Sequence, residues 1–299
     1  MNVLDSARDA LDTMILGRHP RLRAAVKRAY CRIRDPLGKG RHVPLAVGIS
    51  LHMPTYFSTT AWHDYETVAM NACLNWVRSS PNPLLVDVGC SVAIYSLMAL
   101  QASDSARVIA VDPDRISLKT TTEFCRFADT RRLSLVQGFA ADHVDCPLGF
   151  SERLDATRKT LGVAGLRSDP TAIRYLSLES PVEGEAIPHF TLDSLLLALP
   201  GAHASTLLKI DVEGAELLVL RGAIQILQRD RPSILLSVHP QFLPRFGQST
   251  VDVAEFLRSQ NYLWTVLGTD HEEHWWCEAD RRTDKRDVCG MGAPAPSPV

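Results

Sequence analysis

Asp87, Asp112 and Asp211 each end a short apolar run, and they are the residues of this sequence best placed to do chemistry. Asp87 lies in Val86-Asp87-Val88-Gly89-Cys90-Ser91-Val92-Ala93, where an apolar run gives way to small residues and then to a helical pattern. In an open parallel sheet, ligands bind at the carboxyl ends of the strands. Gly89 permits a tight turn there and lets a ligand approach the backbone. A pyrophosphate would favour a neutral turn on the positive end of a helix. A carboxylate at Asp87 suits instead the cationic amino group of a methionine moiety. The plain alternative is a strand-to-helix turn with a capping acid. Asp112, in Val111-Asp112-Pro113-Asp114, can accept both hydroxyls of a ribose, or it can cap the next helix. Asp142, after Ala140-Ala141, either faces an adenine amino group or is a surface acid.

These acids need elements to hold them. Leu84–Val88, Arg107–Val111, Leu133–Gln137, Thr206–Ile210, Ser233–Val238 and Tyr262–Leu267 read as strands. Val92–Gln101, Arg115–Phe127, Ala215–Gln228 and Val251–Gln260 read as the intervening helices, and His271–Cys277 as an antiparallel edge strand. Alternation of this kind makes an α/β fold, a mostly parallel sheet with helices on both faces. Trp62–Val77 reads as a further helix ending before Pro81-Asn82-Pro83. Residues 1–61 form an accessory region with helices expected at Val3–Leu16 and Leu22–Ile33, and a turn at Asp35–Arg41. Cys146–His189 interrupts the alternation as a long insertion, an acceptor-shaping lid or a disordered loop. The domain is expected over 62–283 and a disordered tail over 284–299.

The most specific motif comes late. Lys209-Ile210-Asp211-Val212-Glu213-Gly214-Ala215-Glu216 is followed by Leu220-Arg221-Gly222-Ala223 and by Val238-His239-Pro240, and preceded by Thr191-Leu192-Asp193. With these blocks the sequence resembles the FkbM-type methyltransferases over about residues 62–268. The resemblance implies a class I, Rossmann-like fold with seven strands. It also implies S-adenosylmethionine as cofactor and O-methylation of a sugar or small molecule. Carried onto the matching positions, the cofactor site comprises Glu66, Asp87, Gly89, Cys90, Ser91, Ser96, Asp112, Pro113, Ala141, Asp142 and Asp211. Two positions depart from the family pattern. Ala93 stands where a glycine is usual, and Ser237 where the strand before His239 commonly offers an acid.

Methyl transfer is an in-line displacement that needs an aligned oxygen lone pair and a place for its proton. Asp211 and His239 end two strands expected to be adjacent. Asp211 would orient the acceptor hydroxyl or the cofactor, and His239 is the preferred general base, with a structural histidine as the alternative. Glu216 reads as a helix-opening acid that complements the dipole, and Glu213 as that or a metal ligand beside Asp211. No metal is expected. In His271-Glu272-Glu273-His274 the two histidines of a strand would face opposite sides.

A net charge of −2 argues against a nucleic-acid partner. Seven scattered cysteines without a C-x-x-C pair suit a reducing cytoplasm. No apolar run is long enough for a membrane span, so the expected partner is a small hydroxylated molecule. A methyltransferase-fold binding or scaffold protein without turnover is the second expectation. A nicotinamide-dependent oxidoreductase fails on the missing glycines and on Asp87.

Overall fold

A computed structural model describes residues 26, 29–33, 35–59, 62, 64–125, 131–145, 174–175, 187–197, 205–269 and 272–280. The helix expected at Val3–Leu16, most of the 146–189 insertion and the tail lie outside these residues. Contacts divide the chain into two units, Met1–Tyr65 with Glu123–Ala128, and Glu66–Thr122 with Asp129–Val299.

In the first unit residues 29–33 are helical. A hairpin not anticipated from the sequence follows, β1 (Arg41–Pro44) paired antiparallel with β2 (Ser50–Met53). Asp35 holds the preceding turn, because its carboxylate accepts the Lys39 and Gly40 amides and the Thr55 hydroxyl. Those bonds keep its pKa below the usual carboxylate range, the Thr55 hydroxyl most of all.

The second unit is the expected α/β sheet. Its strands are β3 (Leu84–Val88), β4 (Arg107–Asp112), β5 (Leu133–Gln137), β6 (Phe139–Ala140), β7 (Arg174–Tyr175), β8 (His189–Phe190), β9 (Thr206–Ile210), β10 (Ser233–Val238), β11 (Tyr262–Thr269) and β12 (Glu273–Ala279). The sheet runs β11-β12-β10-β9-β3-β4-β5, with the two-residue β7 outside β5. Pairing is parallel from β10 to β7 and antiparallel for β12 against both β10 and β11. β6 and β8 form a separate parallel pair. Every residue of β3, β5 and β9 is buried, as parallel strands covered on both faces require. Helices α1 (Thr67–Ser79), α2 (Ile94–Ala102), α3 (Arg115–Cys125), α4 (Leu192–Leu196), α5 (Glu216–Arg221), α6 (Ile224–Arg229) and α7 (Thr250–Ser259) connect the strands. Among the described residues no helix is long and apolar enough to cross a membrane.

Two expectations need correction. The last strand is not at the edge: β12 lies between β10 and β11, and β11 is the edge. The burial pattern accounts for this, since most of β11 is exposed or half-buried whereas His274, Trp275 and Cys277 of β12 are buried. The helix expected from Trp62 begins only at Thr67, because Glu66 takes a left-handed conformation, φ 38°.

The late motifs explain themselves as packing. A methyl group on Gly222 would lie 1.9 Å from the Ala141 carbonyl oxygen. Asp193 reaches across from α4, its two oxygens accepting the Gln225 and Ile226 amides at 2.9 Å and so capping α6. Thr191-Leu192-Asp193 and Leu220–Ala223 are thus one joint between helices.

Candidate active site

The turn after β3 is built from committed backbone donors. The Gly89 and Cys90 amides both donate to the Val111 carbonyl, and the Ser91 amide donates to Asp112 Oδ2 at 2.8 Å. With those three N–H groups used internally, none of them is left to cradle an anion. Gly89 has φ 78°, and an added methyl would fall 1.7 Å from the Asp211 carbonyl oxygen. Its lack of a side chain therefore admits the neighbouring strand end, where ligand access was expected. Ala93 also adopts a left-handed conformation, φ 58°. The glycine usual at that position relieves backbone strain, of about 1–2 kcal/mol for other residues, in addition to giving room.

Asp87 is 1% exposed. Its Oδ2 accepts the Ser96 hydroxyl at 2.6 Å, and its Oδ1 is buried with no hydrogen-bond partner among the described residues. Burial pushes its pKa up, against the opposing pull of the Lys209 ammonium. Ser96 is fully buried and positions the Asp87 carboxylate through its hydroxyl. Cys90 is buried as well, and burial keeps its thiol protonated. Asp112 Oδ1 accepts the Asp114 amide, leaving a second lone pair on each oxygen. Burial raises its pKa too. Pro113 is half-buried and accepts the Gln137 side-chain amide.

Two further assignments move away from the turn. Ala141 is buried, donates its amide to the Phe190 carbonyl and packs on Gly222. Asp142 is exposed and bonds to His143, 2.8 Å away.

Asp211 and His239 do meet. They follow the adjacent strands β9 and β10, with His239 Nε2 3.6 Å from Asp211 Oδ1. Around them the fold gathers groups that the sequence did not single out. Lys209, 3% exposed, donates to Asp211 Oδ2 at 2.8 Å. Burial would discharge that ammonium, but Asp211, Asp87 and Glu66 outweigh it and hold the proton on. Asp211 is likewise desolvated, yet Lys209 keeps its pKa below the usual range. Glu66 accepts the Tyr95 hydroxyl at 2.7 Å, and Lys209 Nζ sits 4.7 Å above the Tyr95 ring.

His239 is 2% exposed. Its Nδ1 lies 2.7 Å from Glu216 Oε1, which also accepts the Gly214 amide. Glu216 is fully buried, so its role is to anchor this ring as well as to open a helix. Glu272 Oε2 lies 3.5 Å from His239 Nε2. Burial would lower the His239 pKa; the bonds to Glu216 and Glu272 and the charges of Asp211 and Glu216 push it up to about 10. The ring therefore carries its proton at neutral pH. An imidazolium cannot act as a base, so the expected role needs a change in its surroundings. Glu213 turns outward, 72% exposed and 3.9 Å from His239 Nε2.

Ser237 pairs across the sheet with His274, Oγ 3.2 Å from Nδ1. Glu272, immediately before β12, brings an acid to His239 from the neighbouring strand. In the sequence the two histidines of His271-Glu272-Glu273-His274 draw the eye, and they mask the pair Glu272 and His274. The i, i+2 spacing that sets Glu272 and His274 on one face was the available signal.

The sequence model of the methyltransferase FkbM domain matches residues 87–263. No curated protein matches the sequence. Among solved structures, the methyltransferase FkbM from Methylobacillus flagellatus KT aligns with 17% identity and TM-score 0.42, covering 66% of this chain and 43% of its own length. A putative caffeoyl-CoA O-methyltransferase from Staphylococcus aureus aligns at 9% identity and TM-score 0.41, covering 93% of this chain and all of that one (100%). TrmK from M. capricolum, solved with S-adenosyl-homocysteine, aligns at 12% identity and TM-score 0.35, covering 71% of this chain and 70% of its own. Likeness of this degree carries no chemistry from those proteins to this one.

Proposed function

Because this chain belongs to the FkbM methyltransferase family, we propose that it methylates a hydroxyl oxygen of a small molecule or sugar, using S-adenosylmethionine. The observation that carries this is Asp87 Oδ1, a buried acceptor without a partner among the described residues, beside a turn whose Gly89, Cys90 and Ser91 amides are used internally. Such an atom calls for a donor, and a cationic ammonium is the fitting one. Asp112, at the next strand end, supplies acceptors for ribose hydroxyls. Bound there, S-adenosylmethionine supplies a methyl group on positively charged sulfur, which passes to an oxygen lone pair as the carbon–sulfur bonding electrons return to sulfur.

The chain's own part is to hold the acceptor and receive its proton. Asp211, kept ionised by Lys209, accepts the hydrogen bond of the acceptor hydroxyl and turns its lone pair outward. His239 takes the hydroxyl proton at Nε2 once its own Nε2 proton has passed to solvent water, a loss that the cationic cofactor entering the acidic cluster promotes. The scattered cysteines, with no disulfide among the described ones, suit a cytoplasmic enzyme.

A second reading, a methyltransferase-fold binding protein without turnover, is favoured by the acids packed around His239, which push its pKa up to about 10 and hold it in the protonated form. A single experiment separates the two. A cell metabolite extract is incubated with the protein and an isotopically labelled methyl donor, and mass spectrometry follows the label. Label in an oxygen-methylated product supports the enzyme. Calorimetric binding of S-adenosylhomocysteine with no labelled product across a broad acceptor panel supports the binding protein, and absence of binding overturns both.

A further inference from the structure

The buried acids outnumber their cations around His239. Glu66, Asp87, Glu216 and Glu272 are each at most 5% exposed, and Asp211 adds a fifth acid, against the cationic side chain Lys209 and the imidazoles of His239 and His274. His239 Nε2 faces three acid oxygens: Glu272 Oε2 at 3.5 Å, Asp211 Oδ1 at 3.6 Å and Glu213 Oε2 at 3.9 Å. Glu272 stands at the long end of hydrogen-bonding range and the other two lie beyond it, and one proton can serve only one of the three. One ion can serve several. Two ligands about 2.0–2.2 Å from a zinc-like centre, at the tetrahedral angle, stand about 3.3–3.6 Å apart, which is the spacing from Nε2 to Glu272 and Asp211. One oxygen each of Asp211 and Glu272 and one nitrogen of His239 lie within 4.8 Å of one another.

The other ring nitrogen is already arranged for this. A metal-bound histidine almost always gives its second N–H to a carboxylate or carbonyl, which fixes ring and tautomer. His239 Nδ1 does so to Glu216 at 2.7 Å, and Glu216 Oε2 is buried with no hydrogen-bond partner among the described residues. Lys209 holds the second oxygen of Asp211, so the first is left facing His239.

We propose that Asp211, His239 and Glu272 bind one divalent transition-metal ion, with Glu216 and Lys209 as supporting residues. An imidazole with two carboxyl groups selects zinc, manganese or iron(II) over calcium. Three protein ligands leave a position for water or an acceptor oxygen, and Asp211, 16% exposed, marks the side from which it enters. With the ion in place His239 is a ligand. An acceptor hydroxyl on the same ion loses its proton to water more readily, so no side-chain base is needed. That consequence rests on the methyl-transfer reading; the binding itself does not.

The test uses the full-length protein, stripped with a chelator and titrated with Mn2+ alone, with free ion followed by electron paramagnetic resonance and Zn2+ as competitor. One ion per chain is expected, with imidazole-nitrogen modulation in the spin echo of bound Mn2+. His239→Ala should abolish binding and modulation together, and Glu272→Gln and Asp211→Asn should weaken binding. Glu216→Gln should cost about 10–100-fold in affinity. Each variant is compared by thermal melting, so that three independent substitutions keep the test alive if one fails to fold. No saturable binding up to about a millimolar, the weak end of protein cation sites, overturns the proposal. So does binding that folded His239→Ala and Glu272→Gln variants retain. S-adenosylhomocysteine binding is measured on the stripped protein in parallel. Its loss with metal binding intact strikes the cofactor reading alone, and the reverse strikes the metal alone.

Discussion

Asp112 shows how one carboxylate can serve two masters at the scale of a residue. Its oxygens hold the Ser91 and Asp114 amides, and each keeps a lone pair for a ribose hydroxyl. Hydrogen bonds to a charged group contribute about 1.5–3 kcal/mol each, so Asp112→Ala should weaken S-adenosylhomocysteine binding by more than about tenfold in calorimetry. Asp112→Asn, which keeps one acceptor oxygen, should fall between. Full affinity in the alanine variant would remove Asp112 from the cofactor site. Glu216 admits a sharper measurement. In chelator-treated protein, Glu216→Gln takes away one of the charges that hold the His239 proton. The ring should then titrate about 1–3 units lower, read from its imidazole resonances by NMR; an unchanged titration means that Glu216 does not anchor the ring. Asp211 and His239 were legible beforehand because each ends an apolar run, and strand ends are where a parallel sheet exposes its chemistry. Lys209, Glu216 and Glu272 were not. Each has an ordinary explanation in its own segment, and only the pairing of β9, β10 and β12 makes them neighbours.

Strand order explains most of what the elements withheld. Periodicity identifies a strand by its faces but does not state which strand lies beside it, so β12 was expected at the edge and lies inside. The hairpin of β1 and β2 escaped for a related reason: strands of four residues are too short for a repeating pattern to stand out. Conversely, the motif that looked most chemical includes a joint. Gly222→Ala would drive a methyl group into the Ala141 backbone, where neither partner is a flexible side-chain tip. It should destabilise the protein by at least about 1–3 kcal/mol, the usual scale of overpacking. Asp193→Ala should cost a similar amount by leaving the Gln225 and Ile226 amides without their acceptor. Urea denaturation reads both. If these substitutions lower S-adenosylhomocysteine affinity while melting is unchanged, the joint belongs to the site and not to the framework.

At the scale of the whole molecule, a buried ionic cluster makes stability depend on pH in a direction that can be worked out. His239 binds its proton with a pKa of about 10 when folded, against an ordinary value of 6.5. A raised pKa means that the folded chain holds the proton more tightly than the unfolded one. The stabilisation is complete below 6.5 and is lost as pH climbs toward the folded value. The slope is at most about 1.4 kcal/mol per pH unit for one proton. Buried thiols push the same way, but only above their ordinary pKa of 9.0, since burial raises Cys73 and Cys277 well beyond it. Asp211, lowered by Lys209, acts at and below its ordinary value of 3.8, and Asp87, raised by burial, acts from 3.8 upward in the same direction as the imidazole. Between about pH 6.5 and 9 the imidazole holds up to one proton more in the folded chain than in the unfolded one. Metal-free, cofactor-free protein should lose a few degrees of melting temperature per pH unit across that window. His239→Gln, which carries no titrating ring, should melt lower at pH 6.5 and show a much flatter profile. A wild-type melting temperature that holds constant or rises from pH 6.5 to 9 would mean that the ring is neutral in the folded protein. His239 would then be available as a base without any incoming cation.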